Sequence, residues 1–234
     1  MDSGSQPPTS STGEYDPGIS AIVEAVTPYT MTSPERVAAL IDAVRYVTTF
    51  SIPGAVVECG VWRGGSMMAA ALGLQETGDL RDLYLFDTYE GMSSPEEVDV
   101  DRWGRSARDI LATEDRRVGQ TWAVAGLEEV RRNVLSTNYP ADLVHFVQGR
   151  VEETIPGQAP ERIALLRLDT DFYESTRHEL LHLVPRVSPT GVLIIDDYGH
   201  WQGARRAVDE WLAALQRPVL LNRIDYTGRI AVLP

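Results

Sequence analysis

The chain has 234 residues, 43% of them hydrophobic and 24% charged, a composition that fits one α/β domain better than two small ones. Its formal net charge of −13 argues against nucleic acid as a partner, because phosphate binding needs a basic surface. All 21 basic side chains are arginine, which excludes Schiff-base chemistry, a lysine general base and a Walker-type phosphate loop.

No apolar run reaches the length of a membrane span, so no membrane partner is expected. The single cysteine, Cys59, rules out an intrachain disulfide and a cysteine zinc site, and points to the cytoplasm. Residues 1–17 are rich in Ser, Pro, Gly and Thr, have no signal-peptide pattern and are expected to be a disordered tail. Residues 18–234 then form a single domain. Its first part, 18–50, is expected to be helical: Val37, Leu40, Ile41, Val44 and Val47 recur at helical spacing behind a Ser33 or Thr32 cap, with Pro34 in the first turn.

The period then changes. Five apolar runs read as strands: Ala55–Cys59, Leu83–Asp87, Val144–Gln148, Ile163–Asp169 and Gly191–Asp197. Most are continuous β-branched or aliphatic stretches, as in parallel strands buried on both faces. Helical patterns at Ser66–Gln75, Leu127–Ser136, Tyr173–Val184 and Trp201–Leu215 fill out a doubly wound α/β sheet. The tail, with strand-like runs on both sides of Tyr226-Thr227-Gly228, reads as an antiparallel hairpin. Residues 92–125 fit neither strand nor helix and are expected to be a lid or binding loop.

Chemistry concentrates at the ends of the strands. The first strand ends at Glu58 and runs into a turn containing Gly60, Val61, Trp62, Gly64 and Gly65, with a helix opening at Ser66. Such a turn lets a ligand approach backbone N–H groups, and the acidic Glu58 suits a ligand with a positive ammonium, such as the methionine part of S-adenosylmethionine. A plain tight turn is the competing reading. The pattern is not GxGxxG, which counts against a nicotinamide-dependent oxidoreductase. Asp87, 29 residues beyond Glu58 and followed by Thr88, can accept both hydroxyls of a ribose, although a turn or cap aspartate is a real competitor. Gln148 and Gly149 end the third strand where an adenine would then lie.

The sharpest signal is the pair LRLDTDFYEST and VLIIDDYGHW. Asp169 and Asp171 end one buried strand and Asp196 and Asp197 another. Neighbouring strands lie under about 5 Å apart, so these carboxylates converge. Packed carboxylates repel unless protonated or neutralised, and hard oxygen ligands select Mg²⁺, Mn²⁺ or Ca²⁺. The alternative is that they cap the helices at Tyr173 and Trp201, which could occupy one of each pair but not all four.

Together these segments resemble the macrocin O-methyltransferase family of natural-product sugar methyltransferases. The stretches ECGVWRGGS, LDTDFYEST and IIDDYGHW occur in that order, and the similarity runs from residue 28 to the C-terminus. The resemblance implies a class I methyltransferase fold, Rossmann-like, and a Mg²⁺-dependent reaction on a glycoside. It implies Asp169 as metal ligand and base, with Asp196 and Asp197 as the other ligands. It places Glu58, Gly60, Ser66 and Asp87 near the cofactor, with Thr30 and Met31 closing over it. It also implies a homodimer or larger homo-oligomer. A catechol-type O-methyltransferase shares the metal logic, and the missing lysine base separates the two only weakly. A non-catalytic cofactor- or sugar-binding module would not need the aspartates.

Overall fold

A computed structural model describes residues 15–234 of the chain. Most of the expected tail, residues 1–14, lies outside the described residues. Its last residues are ordered helix start: Asp16 accepts the Ile19 N–H at 3.0 Å, and Pro17 opens helix α1, Pro17–Val26. Proline loses nothing there, because a first-turn N–H has no intrahelical acceptor. Helix α2, Pro34–Thr49, is capped by Ser33 and buries Val37, Leu40, Ile41, Val44 and Val47, the stripe that its spacing predicts.

Strands β1 (Ala55–Cys59), β2 (Leu83–Asp87) and β3 (Val144–Gln148) have the expected limits. Strands β4 (Ile163–Leu168) and β5 (Val187–Ile195) stop just before their aspartates, so these lie on the turns that leave the sheet. β5 starts earlier than Gly191 because its pairing with β4 absorbs an irregularity in register between Ile163 and Leu165. The closing strands are β6 (Asn222–Arg223) and β7 (Arg229–Val232). β6 is much shorter than the apolar run before it predicts, being an exposed edge that only β7 pairs.

The seven strands lie in the order β3-β2-β1-β4-β5-β7-β6. The first five pair in parallel, and β7 and β6 are antiparallel. This is the class I methyltransferase arrangement expected from the sequence. Apolar layers cover both faces. One is built on α1, α2 and α3 (Gly65–Thr77), the other on α7 (Tyr173–Leu183) and α8 (Gln202–Ala214). Helix α5 (Leu127–Leu135) and the short α6 (Val151–Thr154) complete the connections around β3. Among the described residues no helix is long and apolar enough to cross a membrane.

Residues 92–125 are more ordered than the sequence predicts. They contain helix α4, Ala107–Thr113, capped by Ser106. Its buried Ala107 and Leu111 pack with Phe172, Trp201 and Ala204 in a small third core. Seven residues are too short for a helical period to stand out from a polar background. Buried Asp99 and Asp101 tie the segment to the starts of α7 and α8. Asp99 accepts the Tyr173 N–H at 2.8 Å, and Asp101 forms an isolated antiparallel bridge with Trp201.

Candidate active site

Register sets the site. Cys59, Leu168 and Ile195 lie side by side on β1, β4 and β5, so the next residues, Gly60, Asp169 and Asp196, leave the sheet together. A cavity of about 360 Å³ opens along this C-terminal edge, where ligands of open α/β sheets bind. Thr30, Met31, Gly60, Val61, Trp62, Ser66, Asp87, Thr88, Gly149, Asp169, Asp196 and Asp197 all line it.

Two of the candidate residues are not among those lining it. Glu58 is 1% exposed and bonded under the floor to Arg167 Nη1 at 2.5 Å. This bond takes Oε1 of the carboxylate that the sequence assigns to a ligand ammonium, while Oε2 is buried with no hydrogen-bond partner among the described residues. Gln148 is exposed, and its amide lies 3.5 Å from the Thr88 carbonyl.

The glycine turn is shaped by packing as much as by access. Gly60 has φ +80°, and a Cβ on it would collide with the Asp169 carbonyl. A Cβ on Gly65 would meet the Tyr29 carbonyl at 2.6 Å, so glycine lets the Tyr29–Thr30 segment lie against the start of α3. Asp87 holds the turn from beside it. Its Oδ2 accepts from Val61 N at 2.6 Å and Trp62 N at 3.1 Å, and its Oδ1 accepts from Tyr89 N at 2.7 Å. Burial raises its pKa, against the pull of these backbone donors.

The four aspartates divide into two sets. Asp169, Asp171 and Asp197 each present a carboxylate oxygen within 4.8 Å of the other two. Asp197 Oδ2 is buried with no hydrogen-bond partner among the described residues. Asp171 reaches the group through a left-handed backbone, φ +67°. Asp196, expected in this set, is instead held by two arginines: its Oδ1 accepts from Arg167 Nη2 at 2.5 Å, and Oδ2 is bonded to Arg36 Nη1. None of the four caps a helix through its side chain, since Phe172 and Trp201 precede α7 and α8 and Asp99 takes the Tyr173 N–H.

Arg167 is the centre of the charge arrangement, and the motifs do not point to it. It is 2% exposed in the middle of the sheet and bonds Glu58, Asp169, Asp196 and the Thr32 hydroxyl. Burial opposes its charge, yet the carboxylates hold its pKa well above the usual value. The one clue is a lone arginine inside the aliphatic run IALLRL, since charged residues are rarely buried unless paired. Arg36 adds a second tie, from α2 to Asp225 at 3.0 Å.

One guanidinium does not neutralise the whole group. Burial pushes Glu58 up to about 8, with Arg167 pulling the other way. Burial pushes Asp171 up to about 7, with repulsion from Asp169 and Asp196 adding to it. Burial takes Asp169 to about 6 despite Arg167, and Asp197 is raised by burial and by Asp171. Asp169, Asp171 and Asp197, placed to repel one another and with Asp197 Oδ2 lacking a partner among the described residues, offer oxygen donors that could hold a hard divalent cation.

The family model for macrocin O-methyltransferases (TylF) matches residues 23–231. The chain belongs to the macrocin O-methyltransferase family. A tetracenomycin-C-rhamnoside 4′-O-methyltransferase from Streptomyces olivaceus is 36% identical to this methyltransferase over 201 residues, 86% of this chain and 74% of that protein. Demethyldecarbamoylnovobiocin O-methyltransferase from Streptomyces niveus is 33% identical over 86% of this chain and 74% of its own length. The solved structure of the O-methyltransferase NovP superposes with a TM-score of 0.74 at 32% identity, covering 88% of this methyltransferase and 82% of NovP. A calicheamicin methyltransferase, CalS11, shares the fold at a TM-score of 0.61 and 18% identity.

Proposed function

We propose that this methyltransferase transfers the methyl group of S-adenosylmethionine to a hydroxyl of a sugar, a deoxysugar in particular, on a glycosylated natural product. In this reading a divalent cation assists, Mg²⁺ or in its place Mn²⁺ or Ca²⁺. The observation that carries the proposal is the Asp169–Asp171–Asp197 group facing the same cavity as the Gly60–Trp62 turn. Relatives named for methylating rhamnosyl and mycinamicin substrates support the sugar acceptor. One unpaired cysteine goes with a cytoplasmic setting, and the resemblance to family members goes with a homo-oligomer.

A divalent cation, when bound, lowers the pKa of a hydroxyl on it and fixes that oxygen in place. Asp169 and Asp197 would hold it, joined by Asp171 as arranged here or by Asp196 once freed from Arg36. A vicinal diol fits, since a second hydroxyl can share the same ion. S-adenosylmethionine, when bound, supplies an electrophilic methyl group on a sulfonium. Thr30 and Met31 flank the cavity from the N-terminal side, and Val61, Trp62, Ser66, Asp87 and Gly149 line the part assigned to the cofactor.

Asp169 accepts the hydroxyl proton. Without a cation, burial raises its pKa to about 6, above the range of an exposed aspartate. Methyl transfer from a bound S-adenosylmethionine would form the O–CH₃ bond as the S–CH₃ bond breaks, with the electron pair of that bond left on sulfur. The leaving group would be a neutral thioether, so this chain needs to supply no acid for it. Alignment of acceptor oxygen and methyl group supplies much of the acceleration.

The test pairs calorimetric titration of S-adenosylmethionine with methyl transfer to a panel of deoxysugar glycosides, with and without Mg²⁺. Asp169→Asn is expected to keep cofactor affinity and to lose transfer by at least about a hundredfold. Normal turnover by this variant at matched Mg²⁺, or wild-type turnover indifferent to chelator, would overturn the aspartate mechanism.

A further inference from the structure

Beyond the aspartates the cavity runs past His200 and Trp201, which also line a second, more open depression of about 460 Å³. Arg102 lines this depression, and Tyr226 borders the first cavity. At the junction the Arg102 guanidinium carbon lies 5.2 Å from the centroid of the Trp103 ring and 5.2 Å from that of Tyr226. The His200 ring meets Trp103 edge-on at 5.7 Å, and its Nδ1 lies 3.2 Å from the Tyr226 hydroxyl.

Trp103, which touches the cavity-lining His200, is 65% exposed, and Tyr226, which lines the first cavity, is 44% exposed; the Arg105 guanidinium carbon also lies 5.3 Å from the Trp103 ring centroid. Trp103 is anchored through its backbone. The Trp103 N–H donates to Asp101 at 2.9 Å, and Asp101 is fully buried and bridged to Trp201. Asp101 also matches the charge of Arg105 at 2.6 Å. Arg102 differs from its neighbour: no carboxylate or hydrogen-bond acceptor among the described residues meets its guanidinium. An unmatched arginine between two exposed rings, in a chain of net charge −13, is a recognition element for a flat group that carries negative charge.

We infer that Arg102, Trp103, His200 and Tyr226 form a subsite for the part of the acceptor beyond the methylated sugar, and that this part is a flat ring system bearing an anionic group. The inference rests on the sugar-hydroxyl reading above and names the character of its acceptor. Two sources share that chemistry: an aromatic aglycone with an acidic substituent, and the base and phosphates of a nucleotide sugar. A plain neutral glycoside satisfies neither Arg102 nor the rings.

The probes are 4-carboxyphenyl, 4-carbamoylphenyl and methyl α-L-rhamnosides, with a nucleoside-diphosphate rhamnose as a fourth arm. Each is titrated calorimetrically into the protein with Mg²⁺ and S-adenosylhomocysteine, so that no turnover intervenes, and methyl transfer from S-adenosylmethionine is measured in parallel. The carboxyphenyl or the nucleotide probe is expected to bind at least about fivefold tighter than the neutral carbamoylphenyl isostere. Whichever of the two leads identifies the source. Arg102→Ala, at an exposed position, is expected to bring that ratio to about one, and Trp103→Ala to weaken both aryl rhamnosides. Equal affinities in the wild type, no affinity for any of the ring-bearing probes, or a ratio that survives Arg102→Ala overturns the subsite. A preserved ratio without methyl transfer to any rhamnoside keeps the subsite and rejects the rhamnose acceptor. Transfer with a ratio of one does the reverse.

Discussion

Arg167 on β4 donates to Asp196 at the exit of β5, Nη2 to Oδ1 at 2.5 Å, and both side chains are 3% exposed. The same guanidinium serves Glu58 and Asp169. One cation therefore joins the ends of three adjacent strands beneath the cavity.

Replacing that cation should be costly. Arg167→Met leaves Glu58 and Asp169 without their arginine and Asp196 with Arg36 alone, and breaking a buried pair typically costs about 3–5 kcal/mol. Urea unfolding should show a loss of that order, and Glu58→Gln in the same background should return part of it. A midpoint close to the wild type would mean that the cluster does not depend on Arg167.

Stability should also fall as pH rises in the absence of metal. Glu58 is raised to about 8 and Asp171 to about 7, against ordinary values of 4.5 and 3.8. Between the ordinary and the raised values the folded state binds more protons than the unfolded one, so stability is lost with increasing pH. This contribution is fully present below the ordinary values and is gone above about 8. In chelator, melting temperature should therefore drop from about pH 5 to about pH 8, and Mg²⁺ should raise it more at the higher pH. A flat profile, or one rising with pH, would contradict the charge arrangement.

Cation affinity should rank the aspartates. Mn²⁺ titration should find Asp169→Asn and Asp197→Asn weakened by at least about tenfold, a loss of about 1.4 kcal/mol or more. With Asp196 held by Arg36 and Arg167, Asp171→Asn should cost more than Asp196→Asn. The opposite order would show that Arg36 gives up Asp196 when the cation enters.

Asp87→Ala should harm both cofactor binding and folding. The carboxylate accepts three backbone N–H groups, two of them from Val61 and Trp62. Unsatisfied buried donors cost about 1–3 kcal/mol each, so a stability loss of about 2 kcal/mol or more is expected, with S-adenosylmethionine affinity reduced at least about tenfold. Unchanged affinity by calorimetry would remove the ribose assignment.

Much of the domain is legible in the chain's own pattern. Apolar runs mark β1, β2 and β3 to the residue, although only β1 is buried along its whole length and β3 carries the partly buried His145 and the exposed Gln148. Helix α4 is not legible: its seven residues bury only Ala107 and Leu111, and packing against Phe172 and Trp201 places it. Of the site, the glycine turn, Asp87 and the aspartate pairs lie on the cavity as their strand-end positions predict.

Local pattern is enough to say which chemistry gathers at the C-terminal edge, since the strand ends follow from it and consecutive strands usually lie near one another; the order β3-β2-β1-β4-β5-β7-β6 is set by the folded sheet. How the carboxylates divide is settled by the folded sheet alone: Glu58 under the floor on Arg167, Asp196 between two arginines, Asp171 turned in beside Asp169 and Asp197. Spacing along a chain says which side chains come near one another. Which of them share a partner depends on directions set by register and by a single left-handed residue, and on a buried arginine that only the folded sheet brings to their centre.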